Sequence, residues 1–203
     1  MSDAKTLKVA HDFTCPWCLI GFRQAKELAL EFGLTIDWRG YELWPEELAW
    51  PEPSNAAPAP ENKPKTPSRF EFFRLLEGEP PILPDRPKRV RTRLAHLAVE
   101  HAKAFGTQDA LVEAYYKAHW EAGLRLDDED VVVRLALPHV PDPAALIASL
   151  RNKVGLDQVV MFDDDAYASG VYNVPTFFIG DARYAEQPTS VLREALQNLT
   201  HPA

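Results

Sequence analysis

Cysteine is nearly absent from this chain: two of its 203 residues, Cys15 and Cys18. A small secreted protein stapled by disulfides would carry more, spread along its length, so a structural disulfide framework is excluded. Apolar runs of the roughly 20 residues needed to span a bilayer are missing too, and no membrane partner is expected. The opening stretch, Met1-Ser2-Asp3-Ala4-Lys5-Thr6, lacks the apolar core of a secretory signal, so a cytoplasmic location is expected. Positive charge is in deficit, with 22 Lys and Arg against 30 Asp and Glu and a formal net charge of −8. An acidic surface repels phosphate backbones, which argues against nucleic acid as a partner. The six histidines are scattered along the chain, and only His11 lies near the cysteines in sequence. A zinc site at the cysteines would lack its two further ligands, and no metal is expected.

What is present fits a soluble globular protein. Forty-six per cent of residues are apolar, enough for one domain or a domain with a large insertion. Leu7 to Phe13 reads as a strand. Pro16 to Phe32 reads as a helix, with Leu19, Ile20, Phe22, Ala25, Leu28, Ala29 and Phe32 near helical spacing and Gly33 as its stop. Leu34 to Tyr41 alternates and is rich in β-formers, so strand, helix and strand form a βαβ unit with a parallel pair. Trp44 to Pro67 holds seven prolines in 24 residues, which predicts an irregular surface connection. Helices are predicted over Arg69 to Leu76, Val90 to Phe105, Asp109 to Ala122, Asp128 to Leu137, Asp142 to Lys153 and Asp157 to Ser169. Pro175 to Ile179, a Gly180-Asp181 turn and Arg183 to Ala185 suggest a hairpin, closed by a helix from Gln187 to Leu199. The predicted architecture is α/β: residues 1–42 and 161–203 share one sheet, and residues 43–160 form an all-helical insertion with a proline-rich connection.

The cysteine pair carries the chemistry. At a strand-to-helix junction, Cys15 stands at the open start of the helix, where unpaired backbone N–H groups favour negative charge. The thiolate is the attacking species, so Cys15 is the candidate nucleophile. Cys18 lies about one turn on, on the same side, placed to resolve a mixed disulfide. Pro16 suits the first turn because its missing N–H has no helical partner there. Trp17 offers an apolar flank to the reactive sulfur.

Other candidates have a plainer reading beside the functional one. His11 and Asp12 are placed to tune the thiols or move a proton; read simply, they are a polar pair at a strand end facing solvent. Lys88-Arg89-Val90-Arg91-Thr92-Arg93 reads as the solvated start of a helix. His101 sits on an apolar helical face as a hydrogen-bonded core residue. Trp44 and Trp50 are expected to pin the proline-rich connection to the core, with a substrate-facing role as the alternative. Tyr115, Tyr116 and Trp120 read as helix-packing residues, one of which a helical lid would present to the cysteines.

Asp12-Phe13-Thr14-Cys15-Pro16-Trp17-Cys18-Leu19-Ile20-Gly21 resembles the active-site region of the DsbA family, most closely its FrnE-like cytosolic branch. Gly170-Val171-Tyr172-Asn173-Val174-Pro175-Thr176-Phe177 resembles the family's Gly-Val-Pro-Thr-Phe segment, with Asn173 in place of the usual Gly. The resemblance covers nearly the whole chain and implies a thioredoxin-like fold. It implies a cis Val174–Pro175 bond facing the cysteines, with Pro175 shaping a substrate groove and Val174 backbone groups free to pair with an extended substrate. It also implies dithiol–disulfide exchange with protein or small-thiol disulfides and no metal or nucleotide cofactor, glutathione as a cosubstrate being open. Many thioredoxin-fold oxidoreductases carry a buried acid six positions before the first cysteine; here that position is Val9, which leaves water or Asp12 to serve Cys18. Two other readings stand beside this one. Kappa-type glutathione transferases and 2-hydroxychromene-2-carboxylate isomerases share the fold, but generally carry Ser at the Cys15 position. A non-enzymatic peptide-binding or chaperone module would use the groove alone.

Overall fold

A computed structural model of the chain describes residues 6–50, 67–82, 86–161, 171 and 173–200. Strand β1 (Thr6–His11) is central in a five-stranded sheet of order β3-β2-β1-β4-β5. Helix α1 (Pro16–Phe32) makes the crossover to β2 (Thr35–Glu42), which runs parallel to β1 with Val9 opposite Trp38. Local chemistry sets the ends of α1. Pro16 opens its first turn, and Gly33 closes it in the left-handed region at φ 63°, donating its N–H to the Ala29 carbonyl.

On the other side of β1 runs β4 (Thr176–Ile179), antiparallel, with Val9 opposite Phe177. A turn with Gly180 at φ 59° leads into β5 (Ala182–Ala185). The closing helix, which we number α7 (Thr189–Thr200), packs on β4 and α1. The βαβ and ββα halves thus build the expected thioredoxin-like sheet.

Between β2 and β3 (Val160–Met161) the regular elements are helical: α2 (Arg69–Leu76), α3 (Arg93–Lys103), α4 (Gln108–Trp120), α5 (Glu129–Ala136) and α6 (Pro143–Arg151). Three have side-chain N-caps. Ser68 accepts from the Glu71 N–H, Asp128 from Asp130 and Val131, and Asp142 from Ala144 and Ala145. Helices α3 and α4 pack on each other and on β2. Gly40 on β2 permits this approach, because a Cβ there would meet the His96 ring at 2.8 Å. The core runs without a break from Leu7, Ile36 and Trp38 of the sheet to Leu97, Leu111 and Tyr115 of the helices.

Three expectations are corrected. The helix predicted over Asp157 to Ser169 is not what its first residues form. A single 3₁₀ turn spans Leu156–Gln158, and Val160–Met161 pairs in parallel with Tyr41 and Glu42; residues 162–170 lie outside the described part. The open edge of β2 offers backbone partners to β-favouring Val159 and Val160, which outweighs a weak helical spacing. The basic run is not simply solvated. Arg93 begins α3 fully withdrawn from water, donating to Glu42 (2.8 Å), Glu46 (2.9 Å) and Glu47 (2.7 Å), because Glu42 is itself buried at the end of β2 and needs a cation. Trp44 and Trp50 pack on each other at 5.5 Å, with Trp44 37% exposed, rather than entering the core. Their loop is held by Arg91, which donates to the carbonyls of Trp44, Pro45 and Leu48 and lies over the Trp50 ring.

Candidate functional site

Cys15 is the N-cap of α1, with extended backbone (φ −77°, ψ 122°), and its carbonyl accepts the first helical bond from Leu19. Both cysteines are free thiols. Their exposure differs in a way that matters: Cys15 is 5% exposed and Cys18 0%. Burial pushes the Cys18 thiol well above its ordinary range, and a hydrogen bond and negative charge from Cys15 push it further. Opposing this, the Asp12 backbone N–H donates to Cys18 Sγ at 3.4 Å.

The Val174–Pro175 bond is cis, and the Cys15 thiol donates to the Val174 carbonyl at 3.6 Å. The expectation that Val174 backbone groups are free is corrected: its N–H donates to Asn173 Oδ1 at 3.0 Å, so both groups are engaged. Asn173, standing where the resembled segment has Gly, supplies that acceptor, and its Nδ2 donates to Glu186. Glu186, itself at φ 51°, donates its backbone N–H to the Pro175 carbonyl at 3.1 Å. Against the other side of the loop lies Gly21, where a Cβ would meet Pro175 side-chain atoms at 2.7 Å. Gly170 and Tyr172 of the same motif fall outside the described residues. Pro16 sits in the first turn of α1. Trp17 is half-buried, stacked on Phe73 at 4.9 Å and edge-on to Phe70 at 5.4 Å, with the Arg69 guanidinium 5.0 Å from its ring. Helix α2 therefore covers much of the apolar flank that Trp17 was expected to offer.

His11 and Asp12 do not face solvent; each is 1% exposed. Helices α3 and α4 cover this end of β1, which nothing in the local sequence announces. The Asp12 carboxylate accepts four hydrogen bonds, from the Thr14 N–H (2.7 Å) and hydroxyl (2.8 Å), the Leu43 N–H (2.9 Å) and the Thr92 hydroxyl (3.1 Å). Burial raises its carboxyl above the usual range, and those four donors oppose the shift. Its contact with Cys18 is through backbone, not through the carboxylate. Val9 is fully buried in the middle of β1, so the place of the missing acid is apolar.

The Tyr116 hydroxyl donates to the Asp12 carbonyl at 3.4 Å and sits 3.0 Å from His11 Nδ1. Its proton being directed to the carbonyl, it accepts from Nδ1–H and leaves His11 Nε2 bare and unpartnered. Burial, then the neighbouring His96 and Lys103, hold His11 well below its ordinary range, so the ring is neutral. Trp120 Nε1 donates to the Phe13 carbonyl at 2.8 Å. Thr92, Tyr116 and Trp120, all on the helical block, thus anchor the two residues before Thr14. For Thr92 the sequence carries no signal beyond its place in the basic run. His101 is half-buried beside Phe105, its Nε2 without a partner. Among the described residues no cluster of three His, Cys, Asp or Glu side chains is placed to hold a metal ion, and no helix is long and apolar enough to cross a membrane.

A thiol at a helix start, a second, more deeply buried thiol one turn on and a cis-proline loop against the first is an arrangement able to exchange disulfides. The model of the DSBA-like thioredoxin domain matches residues 6–197. The Bacillus subtilis (strain 168) protein YwbO is 24% identical over 176 residues, covering 86% of each chain. Among solved structures, a probable DsbA oxidoreductase from Streptomyces coelicolor superposes with a TM-score of 0.65 at 19% identity, covering 98% of this chain and 91% of its own. A 2-hydroxychromene-2-carboxylate isomerase superposes at 0.66 with 17% identity, covering 96% of both. The cytosolic disulfide reductase DsbM from Pseudomonas aeruginosa, with GSH, superposes at 0.59 with 19% identity, covering 96% and 95%. At these identities the structures establish the fold, while the family match spans almost all of the sequence. The chain belongs to the DSBA-like thioredoxin domain family, which includes disulfide oxidoreductases and isomerases.

Proposed function

We propose that the protein exchanges disulfides through Cys15 and Cys18, acting on protein or small-thiol disulfides in the manner of the FrnE-like cytosolic branch. The observation that carries this reading is the asymmetry of the pair. Cys15, at a helix start and against the Val174 carbonyl, keeps a small opening to solvent at 5% exposure, while Cys18 has none. In the oxidising half of the cycle, the Cys15 thiolate attacks one sulfur of the substrate disulfide. The substrate S–S bond breaks, one thiolate leaves, and a mixed disulfide remains. Cys18 then loses its proton and attacks Cys15 Sγ, forming the Cys15–Cys18 disulfide and releasing the second thiolate. Two electrons pass from the protein to the substrate, and two thiol protons end on the two products. Run backwards, the same steps oxidise a substrate dithiol.

Glutathione-dependent isomerisation is the weaker alternative, because two thiols in mutual contact serve exchange and have no part in isomerisation. The chemistry needs no cofactor beyond the cysteine pair. A reducing compartment suits it, and the cytosolic DsbM structure with GSH supports glutathione as a cosubstrate. The decisive experiment is turnover of insulin disulfides. Cys15→Ser is expected to abolish it, and Cys18→Ser to accumulate mixed disulfides that run as adducts on non-reducing gels. Parental activity in Cys15→Ser would overturn the assignment.

A further inference from the structure

The Cys15 thiol donates to the Val174 carbonyl at 3.6 Å. A disulfide bond is about 2 Å long, so a substrate sulfur joined to Cys15 lies close to the Val174 backbone. An extended polypeptide arriving there pairs with whatever N–H and C=O groups that backbone leaves free. The two groups of Val174 are engaged in different ways. The reaction itself releases the carbonyl, because a Cys15 thiolate has no proton to donate. The N–H is not released. It donates to Asn173 Oδ1 at 3.0 Å, and no step of the exchange removes that acceptor.

Asn173 is held in this role from several sides. Its Nδ2 donates to the Glu186 carboxylate, and its carbonyl accepts from the Thr176 hydroxyl. Glu186 is 9% exposed and pairs with Arg69 at the start of α2. Its own N–H, bonded to the Pro175 carbonyl at 3.1 Å, fixes it to the same loop. These partners also decide which way the Asn173 amide points. Turned over, it would set Oδ1 against a carboxylate and Nδ2 against an N–H, two acceptors together and two donors together. Val174 is buried and Asn173 is exposed, so this side chain can leave its place without opening the core.

We infer that Asn173 is a specificity-determining residue, which occupies the Val174 N–H as a substrate carbonyl would and so disfavours extended polypeptide disulfides. The inference rests on the disulfide exchange proposed above and ranks its substrates. A polypeptide either displaces Asn173 Oδ1 or binds without that hydrogen bond. Displacement also takes Nδ2 from a charged acceptor, a stronger bond than one to a neutral group. A disulfide that has no peptide carbonyl to offer meets neither cost. The glycine of the resembled segment, having no side chain, carries no such cap.

The test sets two disulfides against each other in single turnover with the reduced full-length protein. One is insulin, a polypeptide, and the other is hydroxyethyl disulfide, which has no peptide group. In Asn173→Ala the ratio of the insulin rate to the hydroxyethyl disulfide rate is expected to rise about threefold to tenfold, the worth of one hydrogen bond. The gain is expected in the concentration of insulin that half-saturates the reaction, with the limiting rate little changed. Asn173→Gly is expected to act alike. An unchanged ratio would overturn the inference. So would a rise in Asn173→Gly alone, which would trace the effect to the backbone freedom of glycine and not to the lost cap. Hydrogen exchange of the Val174 amide, followed by NMR without substrate, is expected to be at least about tenfold faster in Asn173→Ala than in the parent, as befits an amide that has lost its acceptor. Equal exchange would show that the side chain does not cap it. That measurement needs no turnover, so a parent protein that reduced neither disulfide would strike the proposed exchange and not the cap.

Discussion

The Thr92 hydroxyl donates to the buried Asp12 carboxylate at 3.1 Å, tying the approach to α3 to the end of β1 across eighty positions of sequence. Through this bond the helical block sets the position of the residue whose N–H contacts Cys18. Thr92→Val keeps the shape and removes the donor, leaving one carboxylate oxygen with a single partner. The expected loss is about 1 to 3 kcal/mol of stability, measured by urea unfolding at pH 7. A loss under a few tenths would mean that Asp12 is held by Thr14 and Leu43 alone.

The buried histidines make stability depend on pH. His96 is held down to about 3, by burial first. Its folded value lies below the unfolded one of about 6.5, so the unfolded chain binds the extra proton between those two values. The contribution of neutral His96 is therefore complete above about 6.5 and is lost as pH falls toward 3. Glu42, pushed up to about 7 by burial, acts in the opposite sense, but that term is common to parent and variant. From pH 7 to pH 5, His96→Leu is expected to lose about 2 kcal/mol less than the parent does, at about 1.4 kcal/mol per unit below 6.5. Parallel stability curves for the two proteins would show that His96 does not titrate in this way.

The part of the fold that was legible is the part whose physics is local. Pro16 and Gly33 bound α1 because a first-turn proline and a left-handed glycine act on their own backbone. Phe177 and Ile179 announce β4 by composition, and Cys15 is placed at a helix start by its neighbours. The supports of the site were not legible, because each is a contact between distant positions. His11 and Asp12 look like a solvent-facing strand end until α3 and α4 are laid over them. Arg93 looks like one more surface cation until Glu42 is seen buried beneath it. Tyr116 and Trp120 were recognisable as packing residues, but not as donors to the Asp12 and Phe13 carbonyls. Val160 carried no mark of strand beyond its branching, since the β2 edge that captures it lies more than a hundred residues earlier.

Arg93 and Glu42 form a buried ion pair at 2.8 Å, with Glu46 and Glu47 reaching the same guanidinium from outside. Arg93→Met would leave Glu42 charged and unpaired or force it to take up a proton. The expected cost is about 3 to 5 kcal/mol, read from denaturant midpoints. Replacing Glu42 by Leu in the same protein is expected to return a large part of that loss, since it removes the stranded charge. If the double variant is no more stable than Arg93→Met, the lost stability comes from Glu46, Glu47 and the packing of the arginine stem.

Gly21 holds space for Pro175. A methyl group there would meet the proline at 2.7 Å and drive the Val174–Pro175 loop away from α1. Gly21→Ala is expected to cost about 1 to 3 kcal/mol by overpacking. It is also expected to slow insulin reduction more than it slows reaction of Cys15 with a small thiol reagent, because the loop, not the sulfur, is displaced. Equal slowing in both assays would place the damage at the cysteine.

The unequal burial of the two thiols yields a direct chemical test. Thiolates alkylate and neutral thiols do not, so reactivity follows both charge and access. Cys15 keeps a small opening to solvent at the start of α1, where negative charge is favoured. Cys18 is enclosed, and burial keeps its proton on well above the ordinary thiol range. Limited treatment of the reduced native protein with iodoacetamide at pH 7 is expected to add one carbamidomethyl group, located on Cys15 by peptide mass spectrometry. In Cys15→Ser, Cys18 loses the negative charge of its neighbour but not its burial. It should still react at least about tenfold more slowly than Cys15 does in the parent, and approach the rate of a free thiol only in denaturant. Labelling of Cys18 at the rate of Cys15 in the folded protein would mean that the sulfur assigned to resolution is open to substrate, and that the order of attack proposed for the pair is wrong.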